Sequence, residues 1–354
     1  MPSFKLISLP FARCMADKSN IAGTTYKLKD LARMLNMSPS TVSKALNDYP
    51  SISVFTKERV KALAKKVNFI PDQTAISFKS KKSFSLGIII PNLLDQFYTI
   101  AVSGIEEFAS EKNYKAIITQ SYEDLQREIE LTEMMSRYRV DGLIVSITKN
   151  THNLDHFKKL EDSGIPVVYF VRRPGDAPCF SVTSNAYKGT FDAVNFLVKN
   201  KHRRIGHIHG PSTLIASRDR QNGYVDGLKA NDIPFDESLV FSTDLSVQGT
   251  KSAIDKLLTL KVVPTAVIAF KDYVALVAIQ YLKSLGKKAP KKIEFVGFGN
   301  LPMLRYIDDL PLASLEEQSA NIGRKSAELI IRRIENKELV PESIMFDCTL
   351  KVLK

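Results

Sequence analysis

The chain has no tryptophan, and only three cysteines and five histidines among its 354 residues. Cys14, Cys179 and Cys348 stand far apart, form no C-x-x-C pair and are odd in number, which argues against a disulfide framework. His152, His156, His202, His207 and His209 form no H-E-x-x-H pattern and have no acidic or cysteine partners at ligand spacing. No metal site is therefore expected. No apolar run reaches the ~18–20 residues that a bilayer span needs. Leu6–Ala12 followed by Arg13-Cys14 has a trace of a lipoprotein signal, but the run is interrupted by Pro10 and Arg13 is not the small residue that cleavage requires. Residues 1–25 are read as a disordered tail, or as an over-long start with translation beginning at Met15. A cytoplasmic location without membrane contact is expected. No nucleophile–base motif is present, and Gly297-x-Gly299 lacks the third glycine and the helix start of a dinucleotide fingerprint. Neither an enzyme nor a cofactor is expected.

What the chain does have is charge in one place. Its net charge is +12. Residues 26–83 alone hold 12 Lys/Arg against 4 Asp/Glu, whereas residues 84–354 hold 35 against 33. A basic segment this local, joined to a nearly neutral remainder, points to nucleic acid as a partner of the N-terminal part.

Within that part, apolar residues recur three times at helical spacing: Leu28, Leu31, Ala32 and Leu35; Val42, Ala45 and Leu46; Val60, Leu63, Ala64 and Val67. Asn36-Met37-Ser38-Pro39 separates the first two stripes. Asn tolerates a left-handed turn, Ser38 suits an N-cap, and Pro39 suits the first helical position. Two short helices with a tight turn, then a third helix, form the helix-turn-helix arrangement. The second helix has one apolar face. The other carries Ser40, Thr41, Ser43, Lys44 and Asn47, short hydrogen-bonding groups and a cation suited to base edges and phosphates.

Tyr26 to Ala32, the run Met37-Ser38-Pro39-Ser40-Thr41-Val42-Ser43-Lys44-Ala45-Leu46-Asn47, Thr56 to Val60 and Asn68 to Pro71 together resemble the DNA-binding headpiece of the LacI/GalR family of bacterial transcription regulators. The resemblance implies a double-stranded, near-palindromic operator read by a homodimer. It implies base contacts at Pro39, Ser40 and Lys44. Pro39 has no side-chain donor, so readout leans on Ser40 and Lys44. Lys44 stands where Arg is frequent, without the bidentate fork. The resemblance also makes 72–85 a hinge that becomes helical on DNA. Phe78 would be the apolar wedge in the minor groove, where Leu is common, and Lys79 a phosphate contact.

From Leu86 onward, short apolar runs alternate with helical stretches. Strands are expected at 86–90, 115–119, 142–147, 167–171, 205–209, 266–270 and 293–298. Helices are expected at 97–112, 124–138, 187–200, 246–259 and 272–285. This alternation means parallel sheets covered on both faces, and the length suits two lobes. Leu86 to Asn92, Arg139 to Val145, Gly164 to Val168, His202 to Ile205, Gly210-Pro211, Arg218 to Tyr224, Gly297 to Asn300, Gln318 and Gly323 resemble the effector-binding core of the same family. The expected fold class is therefore α/β: an all-α helix-turn-helix headpiece at 26–71, then two Rossmann-like lobes of the periplasmic-binding-protein type at 86–354. Lobe 1 is expected at 86–184 and 318–340, lobe 2 at 185–317 and 341–354, with crossovers near 184, 317 and 340.

Such a fold holds a small polar effector between its lobes. The resemblance places effector contacts at Asp95, Phe97, Arg172, Arg218, Lys271, Asp272 and Asn300, with Phe97 and Leu245 able to stack on a sugar face. Arg218 leads, as a bidentate clamp. Two departures matter: Gly299-Asn300 stands where the family has an Asp pair, and Val171 replaces a frequent Asp. They imply a pocket short of carboxylates, and so an anionic effector such as a uronate or sugar phosphate. The expected function is a sequence-specific transcriptional regulator controlled by a sugar or sugar-acid effector. A solute-binding component of sugar uptake or sensing is the alternative.

Overall fold

The computed structural model describes residues 26–70, 82–286 and 293–354. The tail 1–25, with Cys14, and the hinge residues Phe78 and Lys79 lie outside the described residues. The chain divides into two units, one ending at Lys81 and one running from Lys82 to Lys354.

The first unit holds three helices: α1 (Leu28–Leu35), α2 (Pro39–Leu46) and α3 (Val54–Lys66). Each start and stop has a local cause. The backbone N–H of Lys27 donates to the Asp30 carboxylate. Asn36 ends α1 in the left-handed region, φ 53°. Ser38 accepts from the Thr41 N–H at 3.1 Å, and Ser53 from the Thr56 N–H at 3.2 Å. Each such cap stabilises its helix by about 1 kcal/mol. Leu31, Ala32, Val42, Ala45 and Val60 meet in a small core, which fixes α2 with its polar face outward.

The second unit contains two six-stranded sheets. In chain order its elements are β1 (Ser85–Ile90), α4 (Gln96–Glu111), β2 (Lys115–Gln120), α5 (Leu125–Arg137), β3 (Gly142–Val145), α6 (Asp155–Asp162), β4 (Val167–Phe170), β5 (Ser181–Asn185), α7 (Ala186–Lys199), β6 (Ile205–His209), α8 (Ile215–Lys229), β7 (Val240–Ser242), α9 (Val247–Leu258), β8 (Ala266–Ala269), α10 (Asp272–Ser284), β9 (Glu294–Phe298), β10 (Ala313–Glu316), α11 (Ser319–Glu335), β11 (Ser343–Asp347) and β12 (Thr349–Val352). Lobe 1 has strand order β11-β5-β4-β3-β1-β2, all parallel. Lobe 2 has order β12-β10-β9-β8-β6-β7, parallel except that β12 runs antiparallel to β10. The central strands are continuous apolar runs because helices cover both faces.

The chain passes between lobes three times: from β5 into α7, from β10 through Glu317 into α11, and through Cys348 between β11 and β12. The third crossing is therefore at 348 and not near 340. Ser343–Asp347 pairs in register with Ser181–Asn185 of lobe 1, so lobe 1 keeps those residues. In lobe 1, α4 and α11 pack backbone to backbone. A Cβ on Gly323 would lie 1.8 Å from the Ala101 carbonyl oxygen, so that position takes no side chain. Cys179 and Cys348 are free thiols, and among the described residues no helix is long and apolar enough to cross a membrane.

Candidate functional sites: the recognition helix and the interlobe cleft

On α2 the structure divides the polar residues into two sets. Ser38 is used as the cap and also bonds the Thr41 hydroxyl at 2.9 Å. The Asn47 side-chain amide donates to the Ser43 carbonyl at 2.8 Å and closes the helix. Pro39 is exposed at the first helical position. Ser40 and Lys44 are exposed and Ser43 half-exposed. Among the described residues, none of these three has a side-chain hydrogen bond or ion pair. The outward face thus offers two hydroxyls and one ammonium, while Ser38, Thr41 and Asn47 hold the helix in shape.

In the second unit, the loops at the carboxyl ends of the strands face one another across a pocket of about 980 Å³, mouth included. Lobe 1 contributes Asp95, Phe97, Tyr98, Arg172 and Arg173; lobe 2 contributes Leu214, Asp219, Arg220, Leu245 and Phe270 among others. Asp95 caps α4 by accepting from the Phe97 N–H, and its other oxygen accepts from Lys271 Nζ of lobe 2 at 3.0 Å. Lys149 reaches the Asp244 carbonyl at 3.0 Å, and Thr213 donates to the Lys149 carbonyl at 2.6 Å. These bonds cross the cleft and tie the two lobes together.

The Arg172 side chain is about nine-tenths buried and makes two 2.9 Å hydrogen bonds to the Glu123 carboxylate. Burial opposes the Arg172 charge, but Tyr98 and Glu123 outweigh it and raise its pKa. Burial likewise works against ionised Glu123, and Arg172 with the Lys149 amide wins, holding that carboxyl below its usual range. Burial pushes the Tyr98 phenol up to about 12. Arg172 follows Val171, which has φ 65°. The Arg172 N–H donates back to the Phe170 carbonyl at 2.6 Å, a tight three-residue turn. A β-branched residue in that region is strained, and here the strain aims the arginine into the cleft.

Of the residues expected from sequence, Asp95, Phe97, Arg172, Leu245 and Lys271 line the pocket. Three do not. Arg218 lines an adjoining recess and makes two hydrogen bonds with Asp176 of lobe 1, at 2.8 and 2.7 Å. Asp272 is fully buried behind the pocket, where it accepts from Ser314 Oγ at 2.7 Å and from the Leu301 N–H at 3.1 Å. Asn300 bonds Glu316 at 2.7 Å. In place of Arg218 the pocket holds Arg220, whose guanidinium lies 4.4 Å from the Phe270 ring centroid and 4.2 Å from that of Phe298. Arg220 pairs with Glu317, which also accepts from Ser184 at 2.6 Å. The sequence carries a sign of this. Arg220 precedes Gly223 and Tyr224 by three and four residues, so it shares their inward helical face, and Arg218 does not.

The expected shortage of carboxylates is not found. Arg172, Arg173, Arg220 and Lys271 face Asp95, Asp219 and Glu317 in the lining, with Glu123 bound directly to Arg172. The pocket is close to neutral, and its walls include Phe97, Tyr98, Phe270 and Phe298.

An exposed recognition helix joined to a two-lobed ligand cleft defines a DNA-binding protein with a small-molecule sensor. Residues 27–72 match the family described as bacterial regulatory proteins, lacI family, and residues 83–352 match periplasmic binding proteins and sugar binding domain of LacI family. The chain belongs to the LacI family, and its relatives CytR and PurR are transcriptional repressors. The HTH-type transcriptional repressor CytR of Escherichia coli (strain K12) is 27% identical, over 92% of this chain and 95% of that protein. The repressor PurR of Aliivibrio salmonicida is 24% identical, over 88% and 92%. Among solved structures, the lac repressor dimer bound to operator and the anti-inducer ONPF aligns with TM-score 0.79 at 21% identity, over 93% of this chain and 98% of that one. A transcriptional regulator CelR–cellobiose complex aligns with TM-score 0.68 at 24% identity, over 92% and 98%.

Proposed function

We propose that the chain is a homodimeric, cytoplasmic repressor that reads a near-palindromic operator with α2, and that a neutral, hydroxyl-bearing effector of the sugar class sets its operator affinity from the cleft. The observation that carries the effector class is the charge pairing of the pocket: each of Arg172, Arg220 and Lys271 already has a carboxylate partner. An anionic effector would have to displace one of them, whereas a polyol can bond to paired groups and stack on Phe97 or Phe270. The cellobiose held by a structural neighbour agrees with this class. Ligand binding that changes how the lobes close is the means by which operator affinity would respond. The alternative, a solute-binding component of uptake, leaves the basic headpiece without a use.

Selection of duplexes from a random pool by the full chain tests the regulatory reading. The expected result is an inverted repeat whose binding weakens steeply with salt. Recovery of sequences without common half-sites would overturn it.

A further inference from the structure

Asp219 lies near the start of α8 and lines the cleft beside Arg220. It differs from every other carboxylate there. Asp95 is held by Lys271, Glu317 by Ser184 and Arg220, Glu123 by Arg172, and Asp176 by Arg218. The nearest basic atom to Asp219 is Arg218 Nε at 3.9 Å, too far for a hydrogen bond, and among the described residues the carboxylate has no hydrogen-bond partner. Its side chain is 34% exposed and lines the pocket. Burial pushes its carboxyl above the usual range against the pull of Arg218, Arg173 and Arg220: a group that has lost water without gaining a donor.

The same helix start offers donors. Leu214, at the N-cap of α8, makes no side-chain cap bond, and Leu214, Ile215 and Ala216 line the same pocket. The Leu214 and Ser217 N–H groups are bonded to the Pro211 and Leu214 carbonyls, which leaves the Ile215 and Ala216 N–H groups without a partner among the described residues, in the same pocket lining as the open carboxylate and the flat rings of Phe270 and Phe298. A hydroxyl can donate to the carboxylate and accept from an N–H; a carboxylate or phosphate in the same place would meet like charge.

Resting on the reading of the cleft as an effector site, we infer that Asp219 is the specificity-determining residue: it accepts a hydrogen bond from a hydroxyl of a neutral polyol and rejects the anionic counterpart.

Calorimetric titration of the full chain tests this. The probes are neutral mono- and disaccharides and nucleosides, each with its uronate or phosphate counterpart, applied to wild type, Asp219→Asn and Asp219→Leu. Expected is binding of a neutral member, weakened by about tenfold or more in both variants. Discrimination against its acidic counterpart narrows in Asp219→Asn, while the melting temperature without ligand is unchanged. That narrowed discrimination is a readout a purely structural role would not give. Wild-type preference for the acidic member, or undiminished neutral binding by Asp219→Leu, overturns the role of Asp219 and leaves the cleft as an effector site. Failure of every neutral member to bind overturns the ligand class and Asp219 together. The operator selection above then decides separately whether the chain is a regulator.

Discussion

Arg218 and Asp176 face each other from opposite lobes and are joined by two hydrogen bonds of 2.8 and 2.7 Å. Arg173 adds a third contact to the same carboxylate at 3.3 Å. The pair holds Asp176 below the usual carboxylate range, through the hydrogen bonds from Arg218 first, and lifts Arg218. Both side chains are half or more exposed, so the pair contributes little to global stability. What it does is bridge the two lobes beside the cleft. Asp176→Asn should leave the melting temperature unchanged and speed effector dissociation severalfold, read by stopped-flow fluorescence. Equal off-rates in variant and wild type would exclude the latch.

The parts of the molecule that sequence reveals are those with strong local rules. Asn36, Ser38 and Pro39 define the turn and start of α2, and the structure uses all three as expected. The fully apolar strands, such as Leu86–Ile90, are recognisable for the same reason. Hidden strands are short and polar, like Ser181–Asn185, or half-exposed at an edge, like Ser343–Asp347. Their strand character comes from the neighbour they pair with, which no local pattern encodes. The choice of Arg218 over Arg220 is of another kind: both arginines stand in one tripeptide, and the three-residue spacing from Arg220 to Gly223, which packs against the Tyr187 carbonyl of α7, marks the inward one.

Asp272 should make stability depend on pH. Burial raises its carboxyl to about 7, against hydrogen bonds from Ser314 and the Leu301 amide. Unfolded, an Asp titrates near ~3.9. Between about 4 and about 7 the folded state therefore holds a proton that the unfolded state releases, and stability falls as pH rises through that window. Urea unfolding at pH 5, 6, 7 and 8 should show wild type losing stability toward pH 8, and Asp272→Asn lacking that loss (about 7 for the folded group). Parallel profiles for the two proteins would refute the assignment.

Lys44 is the exposed cation of α2, free of any protein partner among the described residues. Lys44→Ala should weaken binding to a selected operator by about 1–3 kcal/mol and relax preference at one base pair per half-site. Replacement of a lysine that only touches phosphate would instead weaken all sequences evenly and lower the salt slope. Anisotropy titrations against single-base operator variants at two salt concentrations separate the outcomes. Even weakening would move base readout away from Lys44.

Glu317 connects pocket and crossover. Its carboxylate sits where β10 leaves lobe 2, bonded to Arg220 at 3.1 Å and to Ser184, at the end of lobe 1, at 2.6 Å. Arg220 and Glu317 are 5% and 9% exposed, so removing one partner leaves a buried charge, at a cost of about 3–5 kcal/mol. Glu317→Ala should lose that amount in urea unfolding. Arg220→Met combined with Glu317→Ala should lose less than the sum of the single changes, since the stranded charge is gone. Glu317→Gln keeps an acceptor for both neighbours and should fold. Glu317 stands on one of the three crossovers and bonds both lobes, so this variant should keep its operator affinity without effector and show a smaller change on saturation with it. A full response in Glu317→Gln, measured by operator titration with and without effector, would place the coupling on one of the other two crossovers.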